Sequence, residues 1–380
     1  MKQIFQFEKF MKPKLQIDSS RLVEIFLNVI KINALSANEK PLADYILNFL
    51  KNLGYEVYTD DSNKFTGSNT GNVICKVGDG GEFILTSHMD TARPTENVKP
   101  VIQDGKITSS GDTVLGVDNR AGVATLLYVL EKIKKENLDV KNFTVAFTTC
   151  EETTLFGSKY LQVNGNIKKG FVFDSGYRPG KFIYSACGAI GFNLKVFGKA
   201  SHSGISPENG INSLIVSAKA ISRLPLGRID EDSTMNIGIL KSGSAVNVVP
   251  ELTEMQGEVR SFNEEKAEKY FKGMIEVFEE EAKKLNARIE YNYYWDFKPY
   301  TIKETSEVYR EIMRAIEKAG LKPEPRISLG GSDANSLNAN GIEAVNIGIG
   351  AQNPHSNDEF IFIEDLAKAA EIAMNLISKD

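Results

Sequence analysis

The segment RAGVATLLYVLEKIKKENLDVKNFTVAFTT, residues 120–149, contains the pattern that decides the fold. Its first half repeats apolar residues at helical spacing, which predicts an amphipathic helix over residues 120–135. The runs TVAFTT (144–149) and GFVF (170–173) that follow are typical of strands buried on both faces. Because helices and buried strands alternate, we predict an α/β fold with a mostly parallel central sheet flanked by helices.

Apolar runs on both sides of this segment extend the same architecture. NVICKV (72–77) and EFILTS (82–87) are strand candidates, and the residues Gly78 to Gly81 between them predict a hairpin. Helical spacing from Ser20 to Leu53, interrupted over Ser36 to Pro41, predicts two helices. Further elements should complete the sheet: a helix over 306–319, a strand over 344–350 and a helix over 363–378.

The order of elements changes after Gly188. It becomes strand, helix, two strands, helix and strand, a βαββαβ order that is typical of a small two-layer, ferredoxin-like module. We therefore predict an inserted second domain over residues 189–296. The first domain would be built from residues 1–188 and 297–380.

The composition limits the classes of partner. The 380 residues include 45 Lys and Arg against 50 Asp and Glu, a net charge of -5 without a dense basic run, which argues against nucleic acid. No apolar stretch approaches the roughly 18 to 20 residues that span a bilayer, and the start of the chain lacks a signal segment. Cys75, Cys150 and Cys187 are odd in number and far apart, which favours buried free thiols. We expect a cytoplasmic protein with no membrane partner.

Four apolar runs are followed by residues that can bind metals or move protons. These residues are His88 with Asp90, Glu151 with Glu152, Asp174 and His355, and Asp118 lies at the start of the following helix. In open α/β sheets the ligand crevice lies outside the carboxyl ends of the strands. We therefore expect these side chains, although distant in sequence, to meet in one site.

Two imidazoles and several carboxylates form a donor set that suits zinc, manganese or cobalt. Two ions about 3.5 to 4 Å apart, sharing one carboxylate, would use this set economically. In His88-x-Asp90 the carboxylate can accept the proton of the second ring nitrogen. Of the adjacent Glu151 and Glu152, one can bind metal while the other acts as a general base, provided that the strand ends before them.

Each of these residues, taken alone, has an ordinary structural interpretation. An isolated His88 would be a buried, hydrogen-bonded histidine at a strand end. Asp118 would cap the helix that follows it, and Asp174 would be a turn residue. Glu151 and Glu152 would be a solvated loop pair. Only the combination favours a metal site.

Seven motifs give the sequence a resemblance to a known family. They are SHMDT (87–91), GVDNRAG (116–122), CEETTLFGS (150–158), FDSG (173–176), ASHSGISPENGINSL (200–214), GGSDAN (330–335) and PHSNDE (354–359). In their order and spacing, the chain resembles the zinc exopeptidases that include peptidase T, carnosinase, aminoacylase and succinyl-diaminopimelate desuccinylase. The resemblance implies a catalytic metallopeptidase domain, with the second domain as the lid and dimerisation domain of that family.

The resemblance also implies roles for individual residues. Carried over by motif, Asp118 would bridge two metal ions, His88 and Asp174 would complete one site, and Glu152 and His355 would complete the other. Glu151 would be the catalytic base, and Asp90 would orient His88. The ions would be two divalent cations per subunit, with zinc favoured over cobalt or manganese.

Three residues of the second domain resemble substrate contacts of the family. His202 would reach the substrate carbonyl oxygen, in this family often from the other subunit of a homodimer. Asn247 and Arg260 lie at lid positions that resemble those contacting substrate. The structural alternatives remain open: a loop histidine, a turn asparagine, and an arginine that forms half of a surface ion pair.

The resemblance favours an aminopeptidase similar to peptidase T, which would release the N-terminal residue of tripeptides. The reason is Asp174, since Asp at this position is more usual in members that act on free peptides. The alternatives are an N-acyl amino acid amidohydrolase, a dipeptidase of the same family, and a non-catalytic binding protein. Asn119 departs from the usual second Asp, for which we expect tuned chemistry. We assign no role to the first 20 residues.

Overall fold

The computed structural model describes residues 16–163 and 165–379. The helices are α1 (Ser19–Ile30), α2 (Lys40–Asn52), α3 (Asn63–Thr66), α4 (Val117–Lys135), α5 (Phe156–Lys159), α6 (Ser213–Ile221), α7 (Glu264–Lys284), α8 (Glu307–Lys318), α9 (Asp333–Ala339) and α10 (Ile363–Ile377). The strands are β1 (Val57–Thr59), β2 (Val73–Val77), β3 (Phe83–His88), β4 (Pro100–Gln103), β5 (Lys106–Ser109), β6 (Phe143–Thr148), β7 (Lys169–Ser175), β8 (Lys181–Ala186), β9 (Gly188–Phe197), β10 (Gly227–Arg228), β11 (Ser233–Ser242), β12 (Leu252–Ser261), β13 (Arg288–Phe297), β14 (Tyr300–Thr301), β15 (Glu324–Ser328), β16 (Glu343–Gly348) and β17 (Phe360–Phe362). Of the first 20 residues, to which the sequence assigns no role, residues 1–15 lie outside the described part.

The chain forms two compact units. One takes in the described residues up to Tyr184 together with Ile302–Arg326 and the described residues from Ser332 onward. The other consists of Ser185–Thr301 and Ile327–Gly331. The second unit thus contains the whole segment 189–296 that the sequence predicts as an insertion.

The central sheet of the first unit follows the order β1-β2-β6-β3-β7-β16-β8. Its four inner strands, β6, β3, β7 and β16, are mutually parallel. The outer strands β2 and β8 run antiparallel to their inner neighbours. The predicted α/β fold with a mostly parallel sheet is confirmed, and the carboxyl ends of the four inner strands lie along one edge.

The predicted hairpin between the runs 72–77 and 82–87 is wrong. Strands β2 and β3 do not pair with each other, because β6 lies between them. The connection through Gly81 passes against the residue just before β6: a Cβ atom at Gly81 would lie 1.9 Å from the carbonyl oxygen of Asn142. The glycines therefore permit a close crossing, which local turn chemistry alone cannot distinguish from a hairpin.

Helix α4 packs against β3 and β7 and also contacts α1 and α10. Leu126, Leu127 and Leu130 are completely buried, but so are the residues on the other faces, since every position from Asn119 to Ile133 is buried. The predicted helix is therefore present, but it is enclosed by the protein on all sides and is not an amphipathic surface helix. None of the helices in the described ranges is long and apolar enough to cross a membrane.

The second unit has a five-stranded sheet of order β10-β11-β12-β9-β13 with every pairing antiparallel. Apart from the two-residue β10, the chain order is β9-α6-β11-β12-α7-β13, and the four long strands have the ferredoxin-like arrangement that the sequence predicts. Helices α6 and α7 both pack on this sheet. Its core is apolar and rich in aromatic side chains, among them Phe192, Phe271 and Phe278.

The sequence does not predict several of the short elements. Strands β4, β5 and β17 form a separate three-stranded sheet. They contain three or four residues each, too few for a periodic pattern to emerge. The sequence also does not predict helix α9, which begins at Asp333 after the Gly330-Gly331 pair and the N-cap residue Ser332.

Gly122 should be essential to the packing of α4 on the sheet. A Cβ atom there would lie 2.3 Å from the carbonyl oxygen of Phe173 and 2.5 Å from Ser87 Oγ, so the helix would have to move away from both strands. We expect Gly122→Ala to lower the free energy of unfolding by about 1–3 kcal/mol, the usual cost of overpacking.

Gly273 is the matched control, since it lies inside α7 with nothing within 4 Å of its added Cβ. Gly273→Ala should raise the free energy of unfolding by about 0.5–1 kcal/mol. Urea unfolding of both variants measures the difference. Equal effects of the two substitutions would show that Gly122 is not a packing constraint.

Candidate metal centre

His88 is the last residue of β3 and is almost completely buried. Its Nδ1 lies 3.0 Å from the backbone carbonyl oxygen of Asp90, which can only accept, so Nδ1 carries a proton. The carboxylate oxygen Oδ1 of Asp90 is farther from Nδ1, at 3.4 Å. The other ring nitrogen, Nε2, therefore faces the site, at 3.1 Å from Asp118 Oδ1 and 3.1 Å from Asp174 Oδ1.

His355 forms the other half of the site. It follows β16, and its Nε2 lies 3.1 Å from Glu152 Oε1 and 3.4 Å from Asp118 Oδ2. The two oxygens of Asp118 therefore face two different imidazoles. The site consists of two halves that share one carboxylate.

Glu151 and Glu152 reach the same site because the strand has already ended. Strand β6 stops at Thr148, and Cys150 has the left-handed backbone angle φ of +51°. The carboxylate of Glu151 lies 3.9 Å from His88 Nε2, while that of Glu152 contacts His355. On a continuous strand these neighbours would face opposite sides.

The electrostatics of the site reflect crowding of negative charge. Burial raises the pKa of Glu151 well above its ordinary value, and the carboxylates of Asp174 and Glu152 add to this effect. Burial likewise raises the pKa of Asp174, to about 6. Burial would also raise the pKa of Asp118, but the hydrogen bonds from His355 and His88 outweigh it and lower that pKa.

The imidazoles respond to the same charges. Burial alone would lower the pKa of His88, but the surrounding carboxylates, Asp174 and Glu151 foremost, raise it well above its ordinary value. The hydrogen bonds to Asp118 and Glu152 raise the pKa of His355 to about 10. The carboxylates thus attract positive charge to the ring nitrogens that face them.

This donor set fits divalent cations. Within the described ranges, the ion pairs of Asp118, Glu151, Glu152 and Asp174 involve only the two histidines and no Lys or Arg. Ligand atoms of His88, Asp118 and Glu152 all lie within 4.8 Å of one another. Nitrogen and oxygen donors at this spacing, with uncompensated negative charge, are what zinc, manganese and cobalt sites provide.

The local backbone leaves Asp118 free to act as a ligand. Its φ and ψ of -83° and 106° are not helical, and the helix cap is the next residue, Asn119, whose Oδ1 accepts the Gly122 N–H at 3.1 Å. The Asn119 amide also donates to the Phe173 carbonyl oxygen at 2.8 Å, beside Asp174. Asn119, and not Asp118, is therefore the residue that caps the helix. The hydrogen bond to Phe173 needs an N–H donor, which an Asp carboxylate at position 119 would lack.

Two further acids near the site were not singled out from the sequence, although both lie in motifs quoted above. Glu359 is buried and accepts the backbone N–H groups of Gly116 at 2.6 Å and Asp118 at 3.0 Å. Asp333 accepts the hydroxyl of Thr148, the last residue of β6, at 2.5 Å. The signal that could have indicated them is their position: both are acidic residues without an assigned role, and both lie inside motifs that otherwise supply the site.

The three predicted substrate contacts lie in the second unit. His202 Nδ1 accepts the N–H groups of Gly204 and Ile205, both at 3.2 Å, so in the neutral ring the proton is on Nε2. The side chain of Asn247 is exposed, and its backbone oxygen accepts the Ser203 N–H.

Arg260 has an intramolecular partner for its guanidinium group. It forms two hydrogen bonds of 2.9 Å to Glu258 and a third of 2.8 Å to the carbonyl oxygen of Leu329. The ion-pair alternative therefore describes this arginine in the structure, and its contact with substrate stays a prediction.

The fold and the donor set are typical of a metal-dependent hydrolase. Residues 84–379 match the sequence profile of Peptidase family M20/M25/M40. The chain belongs to this peptidase family, as the motifs in the sequence predict.

Three relatives cover nearly the whole chain. The uncharacterized protein YqjE of Bacillus subtilis is 33% identical over 367 residues, which is 96% of this chain and 99% of that protein. The crystal structure of the aminopeptidase PepT from Bacillus cereus is 34% identical with a TM-score of 0.87, and that of a tripeptidase from Staphylococcus aureus is 31% identical with a TM-score of 0.90. Each covers 95% of this chain and 98% of its own.

Asp118 should be the residue on which both halves of the metal centre depend. Removing a residue that only supports a ligand commonly weakens metal binding 10- to 100-fold, so Asp118→Asn should weaken it by more than about 100-fold. Calorimetric titration of zinc into the metal-free protein measures this effect.

The matched control is Asp104→Asn, an exposed turn aspartate of the same unit. It should bind zinc as the unaltered protein does. If the two variants bound zinc equally well, Asp118 would not be a ligand.

Proposed function

We propose that this protein is a two-metal aminopeptidase that releases the N-terminal residue of short peptides, tripeptides in particular. The observation that carries the proposal is the pair of half-sites that share Asp118, with the Glu151 carboxylate close to the junction. The likeness to an aminopeptidase and to a tripeptidase, each over 95% of this chain, supports the choice of substrate.

The ligands divide as the geometry suggests. His88 and Asp174 would bind one divalent ion, Glu152 and His355 the other, and Asp118 both. When bound, two such ions, zinc in the first place and cobalt or manganese as alternatives, supply Lewis acidity toward the scissile carbonyl group and the attacking water.

Glu151 moves the protons in this proposal. Its carboxylate takes a proton from the attacking water and afterwards delivers it to the leaving amine. The group is nearly buried, at 8% exposure, so bulk water competes little for that proton. Asp90 positions three residues of the site. Its backbone oxygen fixes the ring of His88, and its carboxylate accepts the N–H groups of Glu151 and Glu152 at 3.1 Å.

His202 would stabilise the substrate oxygen. Because backbone N–H groups occupy Nδ1, the proton on Nε2 is available for donation to a carbonyl oxygen that gains charge during the reaction. We include in the proposal a homodimer formed through the second unit, with His202 serving the site of the partner copy, and Asn247 and Arg260 as further substrate contacts. Sedimentation equilibrium tests the dimer.

We also propose a cytoplasmic location. Its support is that Cys75, Cys150 and Cys187 are buried and none of them is in a disulfide bond within the described residues, as expected in a reducing compartment.

A mixed panel of dipeptides, tripeptides and N-acetylated amino acids tests the reaction directly. Mass spectrometry of the products should show loss of the N-terminal residue from tripeptides, with N-acyl substrates left intact. Cleavage restricted to N-acyl amino acids would identify an amidohydrolase, and cleavage restricted to dipeptides a dipeptidase. No cleavage by the metal-loaded protein would support a binding protein and refute the proposal.

Glu151 and Glu152 should separate chemistry from metal binding although they are adjacent. Glu151→Gln should retain two ions per chain and lose about 10²- to 10⁴-fold in kcat, because it removes only the general base. Glu152→Gln should lose metal. The metal content by mass spectrometry and kcat on a tripeptide are measured on the same samples. Equal metal loss in both variants would contradict these assignments.

A further inference from the structure

The loop Cys150–Glu152 depends on a residue that lies outside every motif of the sequence. We propose that Glu39 is a positioning residue for catalysis: its buried carboxylate fixes Cys150 in the turn that directs Glu151 and Glu152 into the same site. The inference rests on the proposed function, because it concerns how that site is assembled. Within the described residues, the hydrogen bonds of the Glu39 carboxylate go to Ala37, Cys150 and Ser68 and not to the side chain of a proposed metal ligand.

The carboxylate of Glu39 is completely buried, and both of its oxygens accept hydrogen bonds. Oε1 accepts the backbone N–H of Cys150 at 2.8 Å and that of Ala37 at 2.9 Å, and the Cys150 thiol lies 3.4 Å from it. Oε2 accepts the hydroxyl of Ser68 at 2.5 Å. A carboxylate that accepts several N–H groups forms short, strong, directional bonds.

The next two backbone N–H groups of the loop also end on a carboxylate. Glu151 N donates to Asp90 Oδ1 and Glu152 N to Asp90 Oδ2, each at 3.1 Å. The hydroxyl of Ser36 donates to Asp90 Oδ2 at 2.6 Å. Three consecutive N–H groups of one loop are therefore fixed by two buried acids, and both acids connect to the segment between α1 and α2.

The loop needs this support because its backbone is unusual. Cys150 is a non-glycine residue with φ of +51°, and such conformations persist only where the surroundings determine them. Without Glu39, the buried N–H of Cys150 would lose its acceptor, which is costly for a backbone donor. Relaxation toward an extended backbone would direct the side chains of Glu151 and Glu152 to opposite sides.

A buried cation accompanies the two acids. The guanidinium group of Arg120 is fully buried, and its Nη2 donates to the carbonyl oxygens of Ile32 and Ala34 at 3.3 Å each. These oxygens belong to the same α1–α2 segment, and the charges of Asp90 and Glu39 act on this arginine. The segment therefore joins helix α4, which contains Asp118 near its start, to the loop with Glu151 and Glu152.

Two substitutions of Glu39 test the inference. Glu39→Ala should lower kcat on a tripeptide by about 10²-fold, the effect expected when reacting groups shift by about 1 Å, with a much smaller change in KM. Glu39→Gln keeps one carbonyl acceptor for the Cys150 N–H and should recover most of the lost kcat. Ser68→Ala, which removes only the partner of Oε2, should have a smaller effect of the same kind.

Two readouts do not depend on activity. Backbone amide hydrogen exchange in the folded protein, followed in the peptide fragment that covers residues 150–152, should be faster in Glu39→Ala than in the unaltered protein. Calorimetric titration of zinc should show weaker binding of one ion, since Glu152 is misplaced while His88 and Asp174 are not. If Glu39→Ala does not fold, Glu39→Gln and Ser68→Ala give the same comparison at smaller amplitude.

Glu131→Ala is the matched control. Glu131 is also a buried acid, but it pairs with Arg21 and Lys135 on the far end of α4 and should affect stability without a change in kcat or in exchange at 150–152. The inference is overturned if Glu39→Ala keeps the kcat, the exchange rate and the zinc affinity of the unaltered protein, or if Glu131→Ala changes them equally. If no peptide is cleaved by the unaltered protein, the proposed function fails, while exchange and zinc titration still decide the role of Glu39.

Discussion

Mutual repulsion among carboxylates is the constraint on which the rest of this structure depends. Asp118, Glu151, Glu152 and Asp174 converge in one crevice, and in the described part of the chain their only ionic partners are two imidazoles. Burial makes the repulsion stronger, because a low-dielectric environment screens charge poorly. Divalent cations between these oxygens would remove the penalty and turn the same crowding into affinity. The same uncompensated carboxylates therefore cause both the repulsion and the affinity of the candidate site for metal ions.

The fold supplies the rigidity that such a site needs. Four adjacent parallel strands end along one edge, so the polar residues that follow them meet without long loops. Buried acids then fix the loop backbones: Glu359 accepts the N–H groups of Gly116 and Asp118, and Asp90 and Glu39 accept those of residues 150–152. The ligand carboxylates remain free for the site because other carboxylates bind the backbone. This division between acids that face the site and acids that support it explains why the acidic residues of the motifs outnumber the proposed metal ligands.

The sequence was most informative where one physical rule acts alone. Helical spacing located α8 and α10, and the βαββαβ order predicted the arrangement of the second sheet, since a single apolar face decides each of them. Helical spacing also located α4, although that helix is buried on all sides. The strand-end rule brought the candidate ligands together. Sequence patterns failed where residues distant along the chain decide the pairing of strands. Gly78 to Gly81 have the residue types of a hairpin turn, but β6 lies between the two strands that they connect. Glu39 was missed for the same reason, because its partner Cys150 lies far along the chain and no periodicity reports a hydrogen bond to a backbone N–H.

Anomalous diffraction from crystals of the zinc-loaded protein tests the central claim most directly. The account predicts two peaks in the first unit, one bounded by His88 and Asp174 and the other by Glu152 and His355, with one oxygen of Asp118 directed at each. A single peak that leaves either pair without an ion would contradict the shared site. Zinc bound only elsewhere on the chain would contradict the account as a whole.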